Sequence, residues 1–459
     1  MSMDSPLPSP LPSAAPPTPS IPKMTPRTEP SNASLRSSSH TNSTQQSSAS
    51  PTTPSDPSKA STSATETTPR RRFSKPEVRP PEHIINLDLP PRERYKEIGK
   101  IYKDKLQALT PLFDEVLDPV PHKKLVSFIA RHILRRVCSR EEQEEIRGLV
   151  EVTDLPMYLI VAFNTLLDTF MGCTSGAVRL AHDPEKPYSD ENRDKMLHFR
   201  TLDWGMDSLR ELVILVHYQR GGKTIAQAIT YAGFVGVLTG VRQGLSLSLN
   251  FRPAASENTR RRTINFHKIL VLLGIRPSVS SQLRNFLFTK PKEELPTLAQ
   301  IIHEFPRTPC TPCYVTLCDG DFAAFLEKDI THANVSLSEE FVSGTNHDVR
   351  MEAWKAAEYD AFTKSHPIPE AGGIAVDLLD DSQQRKRCVG RLYAAAASTR
   401  ASRKAKKKRV EPGIGIKTVV SWCQAWPITN ECTHFSCVMD PKPGEFAWMR
   451  YHAQPPDER

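Results

Sequence analysis

The chain has 459 residues, with 60 Lys and Arg against 52 Asp and Glu, a net charge of +8 and nine cysteines. Much of the positive excess sits in two runs, at 70–72 and 403–409. It does not form the basic face interleaved with aromatic rings that nucleic-acid binding needs. No apolar stretch approaches the ~20 residues that span a bilayer. An odd, scattered set of cysteines without a secretory leader reads as reduced thiols, an expectation that places the protein in the cytoplasm.

Residues 1–82 are expected to be a disordered tail. They are crowded with Ser, Pro and Thr, and the first aromatic residue is Phe73. Such a segment buries too little apolar area to offset its chain entropy. Arg70-Arg71-Arg72-Phe73-Ser74 closes it with a pattern like a basophilic kinase site. From 83 to 172 the periodicity predicts helices. One starts at Arg92 after the paired prolines 90 and 91, another carries Val126, Phe128, Ile129, Ile133 and Leu134, and a third runs from Met157 to Met171.

After Cys173 the period changes. Short apolar or alternating runs at 196–203, 211–219, 224–231, 234–239 and 245–251 are separated by glycine turns, which predicts antiparallel hairpins. A helix is expected at 281–305, strands at 313–318 and 339–345, helices at 348–362 and 383–397. Strands at 419–423, 434–439 and 446–451 close the chain. Helices and hairpins in separate blocks indicate an α+β layered fold.

Several motifs carry less than they first offer. Gly221-Gly222-Lys223-Thr224 looks like the end of a phosphate-binding loop, but the required earlier glycine is His217 and a hairpin surrounds it. Cys310-Thr311-Pro312-Cys313 has half-zinc-site spacing without a second half, so incidental thiols are expected and no metal or cofactor. Ser402 to Arg409 reads as a solvated basic loop within an insertion at about 400–411, and also as a nuclear-localisation patch. The glycines of Tyr231 to Gly240 mark either close backbone approach or ligand contact.

The chemistry gathers at Met171-Gly172-Cys173-Thr174-Ser175-Gly176, followed by Arg200-Thr201-Leu202-Asp203-Trp204-Gly205. A cysteine after a small residue, with Arg and Asp on a later strand, suggests a self-processing hydrolase. Cleavage before Cys173 would leave a thiol and an α-amine on one residue. An α-amine has a pKa of about 8 and takes the thiol proton at modest cost.

From Ile84 onward the chain resembles the family of acid ceramidase and N-acylethanolamine-hydrolysing acid amidase. The matching stretches are Ile85-Asn86-Leu87-Asp88-Leu89-Pro90-Pro91, Val152-Thr153-Asp154-Leu155-Pro156, Phe163-Asn164, Cys173-Thr174-Ser175, Arg200 to Gly205, Ala232 to Gly240 and Ser246-Leu247-Ser248-Leu249-Asn250. The resemblance implies an N-terminal nucleophile fold, an αββα sandwich, cut at Gly172–Cys173 into an α part of residues 1–172, helical over 83–172, and a catalytic β part (173–459). It implies hydrolysis of the amide of ceramide through a Cys173 thioester, or of an N-acylethanolamine or another N-acyl amide. It implies a lipid amide substrate, transient membrane-surface contact and a lysosomal or vacuolar setting. Arg200 and Asp203 would orient Cys173 and its amine, and Arg200 would favour thiolate. Asn346, in Gly344-Thr345-Asn346-His347-Asp348, matches an asparagine that donates to the oxyanion, and Asn250 a polar site position. The last arginine falls in Asp380-Asp381-Ser382-Gln383-Gln384-Arg385, where the family has Asp-Asp-Arg-Arg, so Arg385 is the candidate. The reading from another class is a catalytically silent binding protein regulated through its tail. The intact Cys/Arg/Asp/Asn set weighs against it.

Overall fold

A computed structural model describes residues 78–111, 131–166, 172–181, 195–253, 260–291, 293–355, 357–358, 361–362, 378–405 and 414–456. The tail read at 1–82 lies outside these up to residue 77, as do 112–130, 167–171 and 406–413, which holds the second half of the basic run.

Two β-sheets make the centre. The larger has eight strands in the order β1-β4-β5-β6-β7-β8-β9-β10. These are β1 (Glu82–Asn86), β4 (Val213–Arg220), β5 (Lys223–Tyr231), β6 (Thr239–Arg242), β7 (Leu245–Phe251), β8 (Cys313–Cys318), β9 (Ala323–Lys328) and β10 (Ala333–Ser338). The smaller runs β11-β2-β3-β12-β13, with β2 (Gly172–Arg179), β3 (Met196–Asp203), β11 (Phe341–Gly344), β12 (Thr433–Asp440) and β13 (Glu445–Tyr451). The sheets pack face to face through β2 and β3 against β7 and β8.

Before Cys173 come helices α1 (Lys96–Ile101), α2 (Lys103–Gln107), α3 (Arg140–Thr153) and α4 (Met157–Leu166). After it come α5 (Arg261–Leu272), α6 (Val279–Leu287), α7 (Leu298–Glu304), α8 (Leu378–Ala405) and α9 (Ile416–Cys423). α6 packs on β6 and β7, and α8 and α9 cover the outer face of the smaller sheet. Helices therefore flank two stacked sheets, the αββα layering expected.

The segment before Cys173 is bound into the rest. The region expected to be helical from 83 opens instead with a strand, β1, which pairs with β4 in parallel where every other strand pair among the described residues is antiparallel. The fully buried Glu145 on α3 takes both terminal nitrogens of Arg284 on α6, at 2.5 and 2.7 Å. A buried pair of this kind is costly to break by removing one partner, so a chain cut before Cys173 has strong reason to stay associated.

Other expectations need correcting. Residues 419–423 belong to α9, because Val419, Trp422 and Cys423 are buried at helical spacing. The helix expected at 281–305 is two, α6 and α7, with Pro291 and Pro296 between them. The strand expected at 234–239 begins only at Thr239. The helix expected from 348 is a short 3-10 turn at Val349–Ala353. α8 continues through Ala405, so the start of the basic run is helix and not loop. Gly221 and Gly222 form the β4–β5 hairpin turn, with φ of 56° and 72°, the left-handed values that two-residue hairpins require. The glycines of 231–240 serve backbone approach: a Cβ on Gly236 would stand 2.7 Å from Ser280, and one on Gly240 2.3 Å from Leu287, both on α6.

Candidate active site

β2 and β3 pair with Gly172 opposite Asp203, Cys173 opposite Leu202 and Ser175 opposite Arg200. Alternation along strands puts Cys173, Leu202 and Arg200 on one face and Thr174 and Asp203 on the other. The first face looks at the larger sheet. There Arg200 Nη2 donates to Cys173 Sγ at 3.3 Å, while its Nη1 donates to Leu249 O at 2.6 Å and Asn250 Oδ1 at 3.2 Å. The thiol itself points to Leu249 O at 3.8 Å. Asn250 in turn donates to Thr345 O at 3.2 Å, linking the end of β7 to the turn after β11.

The opposite face looks at α8. Arg385, fully buried, donates through Nη1 to the carbonyl oxygen of Cys173 at 2.6 Å and to Thr174 Oγ1 at 3.1 Å. The same nitrogen lies 3.5 Å from Asp203 Oδ2. Asp203 Oδ1 accepts from Thr433 Oγ1 at 2.6 Å. Asn346 closes the group: its Oδ1 accepts from Cys173 N at 2.8 Å and from Arg385 Nη2 at 3.2 Å, and its Nδ2 donates to Phe251 O at 2.8 Å. In this uncleaved chain Cys173 N is a peptide nitrogen, standing where a free amine would be after cleavage.

All six residues read from the sequence thus meet within one buried cluster, although they come from β2, β3, β7, the turn after β11 and α8. Arg200 and Asp203 flank Cys173 on opposite faces of the sheet. Asn346 offers Cys173 N an acceptor through Oδ1, and its Nδ2 donates to Phe251 O. Thr433 and Thr174 were not foreseen. They lie in ordinary strand sequence, and only the cross-strand register brings them in.

Burial pushes the Cys173 thiol above its usual range, against the opposing pull of Arg200 and Arg385. In the uncleaved chain burial thus opposes the thiolate that Arg200 would favour. Burial also raises the Asp203 carboxyl to about 7, with Arg385 and Thr433 pulling it down. Cys173 is fully buried. A cavity of about 580 Å³ between β11 and α8 is lined by Phe341, Val342, His347 and Lys386 but not by Cys173, so it does not open the thiol to solvent.

The buried titratable groups set a pH response. His198, bonded to Ser246 and Ser248 between the sheets, His347 and His434 are each held to about 3 by burial, and His267 and His452 to about 4. Unfolded, these rings take protons below pH 6.5 that the fold refuses, so stability is lost as pH falls through that window. Asp203 and Glu142, both raised to about 7, work in the opposite sense, because the fold keeps protons there that the unfolded chain sheds. Five rings against two carboxyls leave the histidines in control. The unfolding midpoint of a Cys173→Ala chain should fall by about 5 °C or more from pH 7.5 to pH 5. A midpoint that rises over that range would contradict this balance.

Among the described residues no group of three or more His, Cys, Asp or Glu is arranged to hold a metal ion, and no helix is long and apolar enough to cross a membrane.

Comparison with known proteins agrees in kind. A family described as the beta subunit of N-acylethanolamine-hydrolyzing acid amidase matches residues 78–137. That stretch lies wholly before Cys173, in the part labelled α above. Acid ceramidase of Mus musculus is 30% identical over 190 residues, 38% of this chain and 45% of that protein. Acid ceramidase of Homo sapiens is 28% identical with the same coverage. The chain thus spans about half the length of the curated relatives it matches. A solved structure of a Caenorhabditis elegans N-acylethanolamine-hydrolyzing acid amidase ortholog is 22% identical, covering 59% of this chain and 93% of that one, with a TM-score of 0.38.

Proposed function

From the relation of this chain to the acid ceramidase and N-acylethanolamine-hydrolysing acid amidase family, we propose that it is a self-processed lipid amidase with Cys173 as nucleophile. The observation that carries the reading is the grip on Cys173. Its sulfur, its nitrogen and its carbonyl oxygen are each bonded by a different buried side chain, Arg200, Asn346 and Arg385. A merely structural cysteine packs its thiol as a small apolar group and needs no guanidinium on the sulfur. Its buried N–H and C=O are ordinarily met by main chain, where here two side chains meet them.

In the first reaction Cys173 Sγ attacks the Gly172 carbonyl carbon, the C–N bond to Cys173 breaks, and a thioester forms with a free α-amine. Water then hydrolyses the thioester to the Gly172 carboxylate, restoring the thiol. The residues up to 172 and those from 173 onward remain together through β1–β4 pairing and Glu145–Arg284. In the second reaction the α-amine takes the thiol proton and the sulfur attacks a fatty-acid amide. The amine product leaves with that proton, and water releases the fatty acid. Arg200 steadies the sulfur, Asn346 the amine, and Arg385 with Asp203 the backbone between them. Asn250 holds Arg200. The burial of the thiol in the uncleaved chain accords with an inert precursor.

Ceramide is the substrate proposed first, because acid ceramidases are the curated relatives that match this chain over 190 residues. An N-acylethanolamine is the second reading, favoured by the family match at 78–137. Such substrates reside in bilayers. On and beside α5, exposed Phe266, Ile269 and Ile275 lie close in sequence to Arg260, Arg261 and Arg262, a composition suited to transient contact with an anionic lipid surface. The test is release of free fatty acid by processed protein from ceramides and from N-acylethanolamines of equal chain length. Faster turnover of ceramide is expected. Turnover of N-acylethanolamine alone would transfer the assignment, and turnover of neither would remove it.

A further inference from the structure

We propose that Ser382 is the positioning residue for Asn346, fastening the turn that carries Asn346 to the helix that carries Arg385. The inference rests on the site roles proposed above for Asn346 and Arg385.

Ser382 is fully buried on α8, one turn before Arg385, so both side chains leave the same face of the helix. Its Oγ accepts the main-chain N–H of Asn346 at 2.7 Å, donates to Thr345 Oγ1 at 2.9 Å and lies 2.7 Å from His347 Nδ1. A hydroxyl has one donor and two acceptor positions. With its proton on Thr345, both lone pairs are used by the Asn346 N–H and by a proton on His347 Nδ1. Three consecutive residues therefore hang on one oxygen. Arg385 Nη2 meanwhile holds Asn346 Oδ1 at 3.2 Å. One helix face thus grips Asn346 at its backbone through Ser382 and at its side chain through Arg385.

The consequence falls on Cys173. Asn346 Oδ1 is the acceptor for Cys173 N at 2.8 Å, and its Nδ2 is anchored to the last residue of β7. Without the hydroxyl, the Asn346 N–H loses its buried partner and the turn relaxes. A displacement of about 1 Å at a positioning group is enough to cost a large factor in rate.

The experiment follows division of the purified full chain at Gly172–Cys173 by mass over time. Ser382→Ala should slow it about tenfold or more. Ser382→Thr, which keeps the hydroxyl, should recover most of the rate. In an Asn346→Ala background the same Ser382→Ala change should alter the residual rate by less than about twofold, because its route of action is gone. A residue that only holds the fold would slow both backgrounds alike.

Amide exchange across residues 343–349 gives a second reading independent of rate. It should rise at least about tenfold in Ser382→Ala, while protection in β2 and β3 is unchanged. A division rate within about twofold of the parent, equal losses in both backgrounds, or unchanged exchange at 343–349 overturns the assignment. If Ser382→Ala does not fold, Ser382→Cys, of similar volume and weaker bonding, carries the same comparisons. If the parent divides and Cys173→Ala does not, the reading of Cys173 stands whatever Ser382 does. A parent that never divides overturns both.

Discussion

Arg385→Met is expected to slow division of the chain at Gly172–Cys173 by about a hundredfold or more, the scale on which one preorganised donor in a buried site acts. The reason is the number of partners a single guanidinium serves. Arg385 bonds the Cys173 carbonyl, Thr174 and Asn346, pairs with Asp381 at 2.9 Å and lies 3.5 Å from Asp203. Methionine fills similar space and offers none of these bonds.

The fold should survive the change better than an ordinary broken ion pair would. Asp203 is already raised to about 7. Without the arginine it is expected to hold its proton and become neutral instead of standing as a bare buried charge. Arg385→Lys keeps the charge but not the planar fork, and should fall between the two. Time courses of division, set beside unfolding midpoints, check this. A methionine variant that divides within about threefold of the parent would show that Arg385 is not part of the chemistry.

Much of this arrangement was legible because it rests on strand pairing. Cys173 and the Arg200 to Asp203 segment are neighbours in the β2–β3 hairpin, and alternation alone decides which face each side chain takes. The hairpins from Val213 to Phe251 were legible for the same reason, with Gly221 and Gly222 marking a turn.

What stayed hidden depends on long-range packing. β1 joins β4 across about 130 residues of chain, and nothing local to Glu82–Asn86 announces a parallel partner. Val419 to Cys423 is an apolar run too short for periodicity to separate strand from helix. It is a helix because α9 lays Val419 and Trp422 on the smaller sheet. Ser382 carried no signal at all, since a serine inside a helix reads as neutral until the turn it bonds is in place.

The central claim concerns one bond, Gly172–Cys173. Cys173→Ala removes the only atom in the cluster proposed to attack that bond while keeping a small residue in a site that is fully buried. The effect expected is all or none, because the sulfur is held by Arg200 and the nitrogen of the same residue by Asn346. The direct measurement is the intact mass of purified protein, at neutral and at acidic pH, for the parent and for Cys173→Ala. The account predicts two fragments from the parent, 1–172 and 173–459, and a single chain of 51.4 kDa from the variant. A parent that stays one chain under both conditions, or a Cys173→Ala chain that still divides at the same bond, would contradict it.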